Sequence, residues 1–213
     1  MLHDLRAIIS RIAHSGARAR GMPIALRENM MNRRECNVML ASGLFAVTAL
    51  PSSRAAAQSA SIETIRGRWR SFAPADFTAP SANDTVTRSE EQWRDRLDPL
   101  AFRVLRHEDT ERAGTSRLND EQRPGIYVCA GCGLPVFSSE MKFDSGTGWP
   151  SFFTSIPEAF ETKLDFRIIL PRTEYHCVRC EGHHGHIFDD GPAPTHERWC
   201  NNGAALKFIP RES

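Results

Sequence analysis

Two Cys-x-x-Cys pairs, Cys129-Ala-Gly-Cys132 and Cys177-Val-Arg-Cys180, set the strongest constraint on how this chain folds. Each pair can wrap two thiolates around one side of a metal ion. Two such knuckles together make the tetrahedral sulfur site that structural zinc prefers. Glycines at 131 and 133 relieve crowding in the first tight turn. Residues 133–176 separate the pairs, more than a compact zinc ribbon contains, so a sheet has to bring them together. A metal there would tie two distant parts of the chain and act structurally. The competing reading is a pair of disulfides, or one redox-active pair. Zinc is expected instead, because a thioredoxin-like site needs one pair only, in a βαβ setting.

The first 57 residues differ from the rest. Arg33-Arg34 precede an apolar run from Val38 to Leu50, followed by Pro51, a Ser pair and Ala55-Ala56-Ala57. A charged segment, a short apolar core and a small-residue cleavage site read as an export signal, and the paired arginines suggest the twin-arginine type. The residues before Met30 or Met31 make an unusually long preamble, consistent with translation starting there. Cleavage would place the mature start near Gln58, remove Cys36 and put the protein in the periplasm, or an equivalent exported space. Without cleavage the run would be a buried helix or a single anchor. An oxidising compartment favours the disulfide alternative for the paired cysteines. Residues 58–87, rich in Ser, Ala, Pro and Thr, read as a linker or an extended arm on the domain surface.

From residue 88 the chain reads as one domain. Ser89 with Gln92 three residues later forms a capping box, and Asp98-Pro99 supplies a cap and first position for a second helix. Helices are predicted at 90–97 and 99–107, the second with Leu100, Val104 and Leu105 as its apolar stripe and Phe102 off it. Beyond Gly125 short apolar runs alternate with Gly and Pro: 126–128, 136–137, 152–153, 168–170, 187–188 and 206–208. Such runs suggest antiparallel strands. Helices followed by strands argue for an α+β fold, mainly β. No stretch of about 18 uninterrupted apolar residues is present, so no ordinary membrane span is expected. The net charge of +1 marks no nucleic-acid partner.

With four cysteines assigned to metal, Cys200 is the odd thiol of the mature chain. Composition does not decide whether such a thiol is reactive or inert. Its neighbours are Arg198-Trp199-Cys200-Asn201-Asn202, and upstream lies Gly182-His183-His184-Gly185-His186. On a regular strand His184 and His186 would share a face, whereas a turn at Gly185 would bring His183 and His186 together. Imidazoles can orient a substrate oxygen and deliver a proton. Arg198 and a protonated His would increase the thiolate fraction of a nearby cysteine. The same histidines suit metal ligation equally well.

At these residues the sequence resembles the type B methionine sulfoxide reductases, which act on the R epimer. The resemblance runs from about Glu90 to Pro210. It rests on Phe143-Asp-Ser-Gly-Thr-Gly-Trp-Pro-Ser-Phe152, Cys180-x-x-His-x-Gly-His-x-Phe-Asp-Asp-Gly191, Arg198-x-Cys-x-Asn202 and both Cys-x-x-Cys pairs. It implies two antiparallel sheets with small peripheral helices, and one structural zinc held by Cys129, Cys132, Cys177 and Cys180. It implies Cys200 as nucleophile, His183, His186 and Asn202 around the sulfoxide oxygen, Trp149 against the substrate methyl group, and Arg198 beside Cys200 favouring its thiolate. It further implies oxidised proteins as substrates, a thioredoxin-like donor and a monomer. Many members carry a resolving cysteine two positions before the Trp, where this chain has Thr147. A sulfenic acid on Cys200 is therefore expected to be reduced directly by an external thiol. Gly203, His184 and Trp199 also depart from the usual Ser, Leu and Tyr, which reshapes the pocket edge, and His184 is easily mistaken for a catalytic residue.

Overall fold

In the computed structural model, residues 61–166 and 171–212 are described. The export-signal segment 1–57 and the apolar run 168–170 lie outside the described residues.

The two predicted helices form where the capping residues place them. Helix α1 spans Glu90–Arg96; the Ser89 hydroxyl accepts from the Gln92 amide while the Gln92 side chain accepts from the Ser89 amide. Helix α2 spans Pro99–His107, with Asp98 accepting from the amides of Leu100 and Ala101. A cap of this kind stabilises a helix by about 1 kcal/mol. Phe102, expected outside the apolar stripe, is buried with Ala101, Val104 and Leu105. It is covered by the Arg94 guanidinium, 5.0 Å above its ring, and by the edge of His107.

Apart from a helical stretch at residues 61–67 and short 3-10 turns, the rest of the described regular structure is β, in two antiparallel sheets as expected. Strands β1 (Gly125–Cys129), β2 (Pro135–Ser138) and β9 (Leu206–Pro210) make a three-stranded sheet ordered β2-β1-β9. Strands β3 (Lys142–Phe143), β4 (Ser151–Phe152), β5 (Phe160–Asp165), β6 (Arg172–Cys177), β7 (His183–Phe188) and β8 (Arg198–Asn201) make a six-stranded sheet ordered β3-β4-β8-β7-β6-β5. Between the sheets Phe137 stacks on Phe152 with ring centroids 3.9 Å apart, and Tyr127, Phe160, Tyr175 and Trp199 complete an aromatic core. That core fixes which face of the large sheet is buried and leaves the other face for chemistry.

The two Cys-x-x-Cys knuckles are built alike. The first joins β1 to β2, and the second joins β6 to β7. In each, the amide five residues into the turn donates back to the first cysteine's carbonyl, Gly133 to Cys129 and Glu181 to Cys177, both at 2.8 Å. Gly133 and Glu181 both have positive φ, 78° and 57°, a conformation glycine adopts freely and glutamate only under constraint. The described part of the 58–87 segment, expected as a linker or extended arm, instead opens with a helical stretch at residues 61–67 and packs against the domain. Trp69 is buried in a 3-10 turn over Arg68–Phe72, and the Val86 amide donates to the Arg179 carbonyl of the second knuckle. Among the described residues no helix is long and apolar enough to cross a membrane.

Candidate active site

Strand register builds the site. Directly opposed residues of neighbouring strands share a face, and one row runs across the large sheet as Lys163, Glu174, His186, Cys200 and Ser151. The next row on that face holds Asp165 opposite Arg172 and Phe188 opposite Arg198. The opposite face carries Tyr175 and Trp199 and points into the aromatic core.

His183 joins this face through an irregularity. From His186 a regular strand would send a residue three positions earlier to the other side. Here Gly185 pairs with Tyr175 but His183 pairs with His176, so β7 carries one extra residue, His184, as a bulge. The phase is reset, and the His183 and His186 rings lie 5.5 Å apart. His184 turns into the core against Phe160 and Tyr175, its Nδ1 3.1 Å from Asn201 Oδ1. The strand geometry thus unites His183 with His186, not His184 with His186. Gly185 is required because a Cβ there would collide with the Cys200 carbonyl oxygen.

Each imidazole is backed by a carboxylate that is itself paired with a cation. His183 Nδ1 lies 2.8 Å from Glu174, which also pairs with Lys163 at 3.2 Å. His186 Nε2 lies 2.9 Å from Asp165, which pairs with Arg172 at 2.6 Å. Burial pulls both imidazoles below their ordinary range, against the opposing pull of these carboxylates. In the neutral form the proton sits on the nitrogen facing the carboxylate, which leaves His183 Nε2 and His186 Nδ1 as acceptors. His183 Nε2 is buried with no partner among the described residues. Asp165, Glu174 and His186 come within 4.8 Å of one another, but the paired cations already neutralise these carboxylates, so the cluster suits proton handling better than an ion.

Cys200 is half-buried. Burial pushes its thiol up; Arg198 and a hydrogen bond with Thr147 pull it down, without overcoming the burial. The expected help from Arg198 is therefore present, but a protonated histidine does not add to it. Arg198 makes a two-pronged pair with Asp190, at 2.7 and 3.0 Å, and lies 4.2 Å over the Phe188 ring.

Trp149 is half-buried and donates from Nε1 to the Glu111 carbonyl at 3.1 Å. It follows Gly148, whose φ of 88° and closeness to the Gly114 amide admit no side chain. Asn202 is buried; its Oδ1 accepts from the Glu111 amide at 3.0 Å and its Nδ2 donates to the His184 carbonyl at 3.0 Å. One amide hydrogen of Asn202 is left for another partner. Glu111, which the sequence reading missed, ties these pieces together: its buried carboxylate accepts from the amides of Gly203 and Ala204 at 2.6 and 2.9 Å. Lys163, Glu174, Asp165 and Arg172 were missed as well. They lie on two polar strands, and the alternation of Arg172-Thr-Glu174-Tyr-His was the available signal.

The four paired cysteines meet away from this face. Their sulfurs lie within 4.8 Å of one another, with Cys129 to Cys180 at 3.6 Å and Cys132 to Cys177 at 3.5 Å. A disulfide requires about 2.05 Å, whereas a tetrahedron with metal–sulfur bonds of about 2.3 Å has sulfurs about 3.8 Å apart. The cluster therefore fits a bound metal. Cys129, hydrogen-bonded among the other three and fully enclosed, has its thiol held well above the usual range. A cation would relieve that competition.

An unpaired cysteine facing two imidazoles, on sheets joined by four further thiols, belongs with the oxidoreductases built on a four-cysteine centre. The SelR domain matches residues 97–210. The chain is 46% identical over 137 residues to "Peptide methionine sulfoxide reductase MsrB" of Bradyrhizobium diazoefficiens, covering 64% of this chain and 99% of the relative. It is 45% identical to "Peptide methionine sulfoxide reductase B1, chloroplastic" of Arabidopsis thaliana, covering 63% and 67%. It is 44% identical to "Methionine-R-sulfoxide reductase B3, mitochondrial" of Mus musculus, covering 66% and 56%. The chain belongs to the SelR family, the type B methionine sulfoxide reductases, and is an oxidoreductase.

Proposed function

We propose that this enzyme reduces methionine-R-sulfoxide in oxidised proteins, with Cys200 as the nucleophile. The observation that carries the reading is the placement of Cys200 directly opposite His186 on the open sheet face, with His183 brought there by the bulge.

The chemistry follows from the proton inventory. At rest Cys200 is a thiol and both imidazoles are neutral. The thiol proton passes to an imidazole lone pair and then to the sulfoxide oxygen, so no net proton is consumed. The thiolate attacks the sulfoxide sulfur to form a sulfur–sulfur bond; the protonated oxygen leaves the substrate sulfur as hydroxide and adds to the Cys200 sulfur while the sulfur–sulfur bond breaks, its electron pair departing on methionine, so that Cys200 ends as a sulfenic acid. Trp149 offers an apolar wall for the S-methyl group, and a sulfur–aromatic contact contributes about 0.3–1.5 kcal/mol. Arg198 supports the thiolate, and the free hydrogen of Asn202 orients the departing oxygen.

Thr147 occupies the place of an internal resolving cysteine. Two equivalents of an external thiol then reduce the sulfenic acid, releasing water and leaving a disulfide on the donor. A thioredoxin-like donor fits, and an export signal within residues 1–57 would put both in an exported compartment. Cys129, Cys132, Cys177 and Cys180 would hold one zinc ion, whose part is to lock the two knuckles together. The decisive experiment is stereospecific turnover with a dithiol reductant: Cys200→Ser is expected to lose turnover and keep its fold. Full activity in that variant would reject the reading.

A further inference from the structure

Beside Cys200 runs a chain of three hydroxyls. Ser151 Oγ donates to the Trp149 carbonyl at 3.1 Å, Ser145 Oγ lies 2.7 Å from Ser151 Oγ, and Thr147 Oγ1 lies 2.8 Å from Ser145 Oγ. Ser151 is also the direct cross-strand partner of Cys200, and the Thr147 hydroxyl stands near enough to the Cys200 sulfur to favour its thiolate. Each hydroxyl carries one proton. Ser151 gives its proton to the carbonyl, so Ser145 must donate to Ser151 and Thr147 to Ser145. Thr147 then has only lone pairs left and accepts from the Cys200 S–H. Once Cys200 loses its proton, that arrangement opposes two electron-rich atoms. The chain resolves the conflict by turning over: Thr147 donates to sulfur, Ser145 to Thr147, Ser151 to Ser145, and the Trp149 carbonyl gives up its donor.

We propose that Thr147, Ser145 and Ser151 form a reversible hydroxyl chain whose donor direction follows the state of Cys200, making Thr147 a positioning residue for the attacking sulfur. This rests on Cys200 being the nucleophile, and it gives Thr147 a task in place of the missing resolving thiol. The charged and titratable groups around Cys200 are Arg198 on its own strand with Asp190 before it, His186 on β7 with His183 beyond, and Tyr175 on the core side of the sheet. The loop between β3 and β4 contributes only hydroxyls there; its Asp144 is exposed and accepts from the Gly146 amide.

The test reads Cys200 alkylation by iodoacetamide against pH in the full-length protein, quantified on the Cys200 peptide so that the other cysteines do not contribute. Thr147→Val is expected to raise the alkylation midpoint by about one pH unit, making neutral-pH alkylation about tenfold slower. Thr147→Ser is expected to restore it. Ser145→Ala is expected to move the midpoint the other way, because Thr147 can then donate to sulfur without reversing its neighbours. An unchanged midpoint in Thr147→Val, or a raised one in Ser145→Ala, overturns the proposal; should the valine variant misfold, the sign of the alanine variant decides. Alkylation does not require turnover, so these shifts are separable from the failure of the nucleophile reading, which an active Cys200→Ser would reveal.

Discussion

His186 lies directly across from Cys200 on adjacent antiparallel strands, with no residue between them in the register. Burial holds the imidazole low and the thiol high, so the resting pair carries one proton and it sits on sulfur. On the proposed mechanism, turnover needs one proton shared between imidazole and thiol. Two protons are present below the imidazole midpoint and none above the thiol midpoint. The pH profile of kcat/KM is therefore expected to show a broad plateau, beginning below the usual imidazole value of about 6.5 and extending past the usual thiol value of about 8.5. A narrow bell centred between those two ordinary values would show that the site does not shift them in these directions.

Removing the carboxylate behind His183 tests its part in proton delivery. Glu174 is buried and raises the affinity of His183 for a proton. Glu174→Gln keeps the shape and a hydrogen bond but removes the charge, and it leaves Lys163 facing His183. The expected result is a loss of about tenfold or more in kcat, with the acid limb of the profile moving to lower pH. KM should change little, because Glu174 is buried and its carboxylate is engaged by His183 and Lys163. An unmoved acid limb would assign Glu174 a packing role only.

Much of this architecture was legible in the sequence, and what escaped has physical reasons. Capping residues announced both helices because a cap is a local event within three residues. The knuckles were legible because ligand spacing is local too. Strands β5 and β6 were not, since one of their faces is the open working face and carries Lys163, Glu174 and Asp165 where an apolar alternation would be sought. The choice between His184 and His183 turned on a single inserted residue, and only the pairing partner on β6 reveals a bulge. Asn202, expected beside the substrate, has most of its hydrogen-bonding capacity engaged by Glu111 and His184, a long-range arrangement that no spacing records.

His184 offers a prediction on stability. Its imidazole, enclosed against Phe160 and Tyr175, is pulled down to about 3 by burial. In the unfolded chain the value returns to about 6.5. Between these two pH values the unfolded state binds a proton that the folded state refuses, so this contribution to stability is complete above about 6.5 and declines as pH falls toward 3. His184→Leu removes the titration, while Asn201 Oδ1 keeps the Tyr175 hydroxyl at 2.9 Å. The variant is expected to match the parent in activity and to lose less Tm between pH 6 and 4. Parallel Tm profiles would mean that another group governs the acid limb.

Metal removal separates the four-thiol centre from the reacting thiol. Sulfur spacings of 3.5 and 3.6 Å are too long for disulfides and near those of a sulfur tetrahedron. Native mass measurement is expected to find one zinc per chain, and Cys200→Ser is expected to retain it. Cys177→Ser removes a ligand buried where β6 enters its knuckle. Structural zinc contributes on the order of 10 kcal/mol to folding in small domains, and for a chain of this size each kcal/mol corresponds to roughly 2–4 °C in Tm. Cys177→Ser is therefore expected to lose the metal and fall by more than about 10 °C in Tm, with activity lost through unfolding. A mass lower by four hydrogens, with no metal and an unchanged Tm on chelation, would replace the zinc with two disulfides.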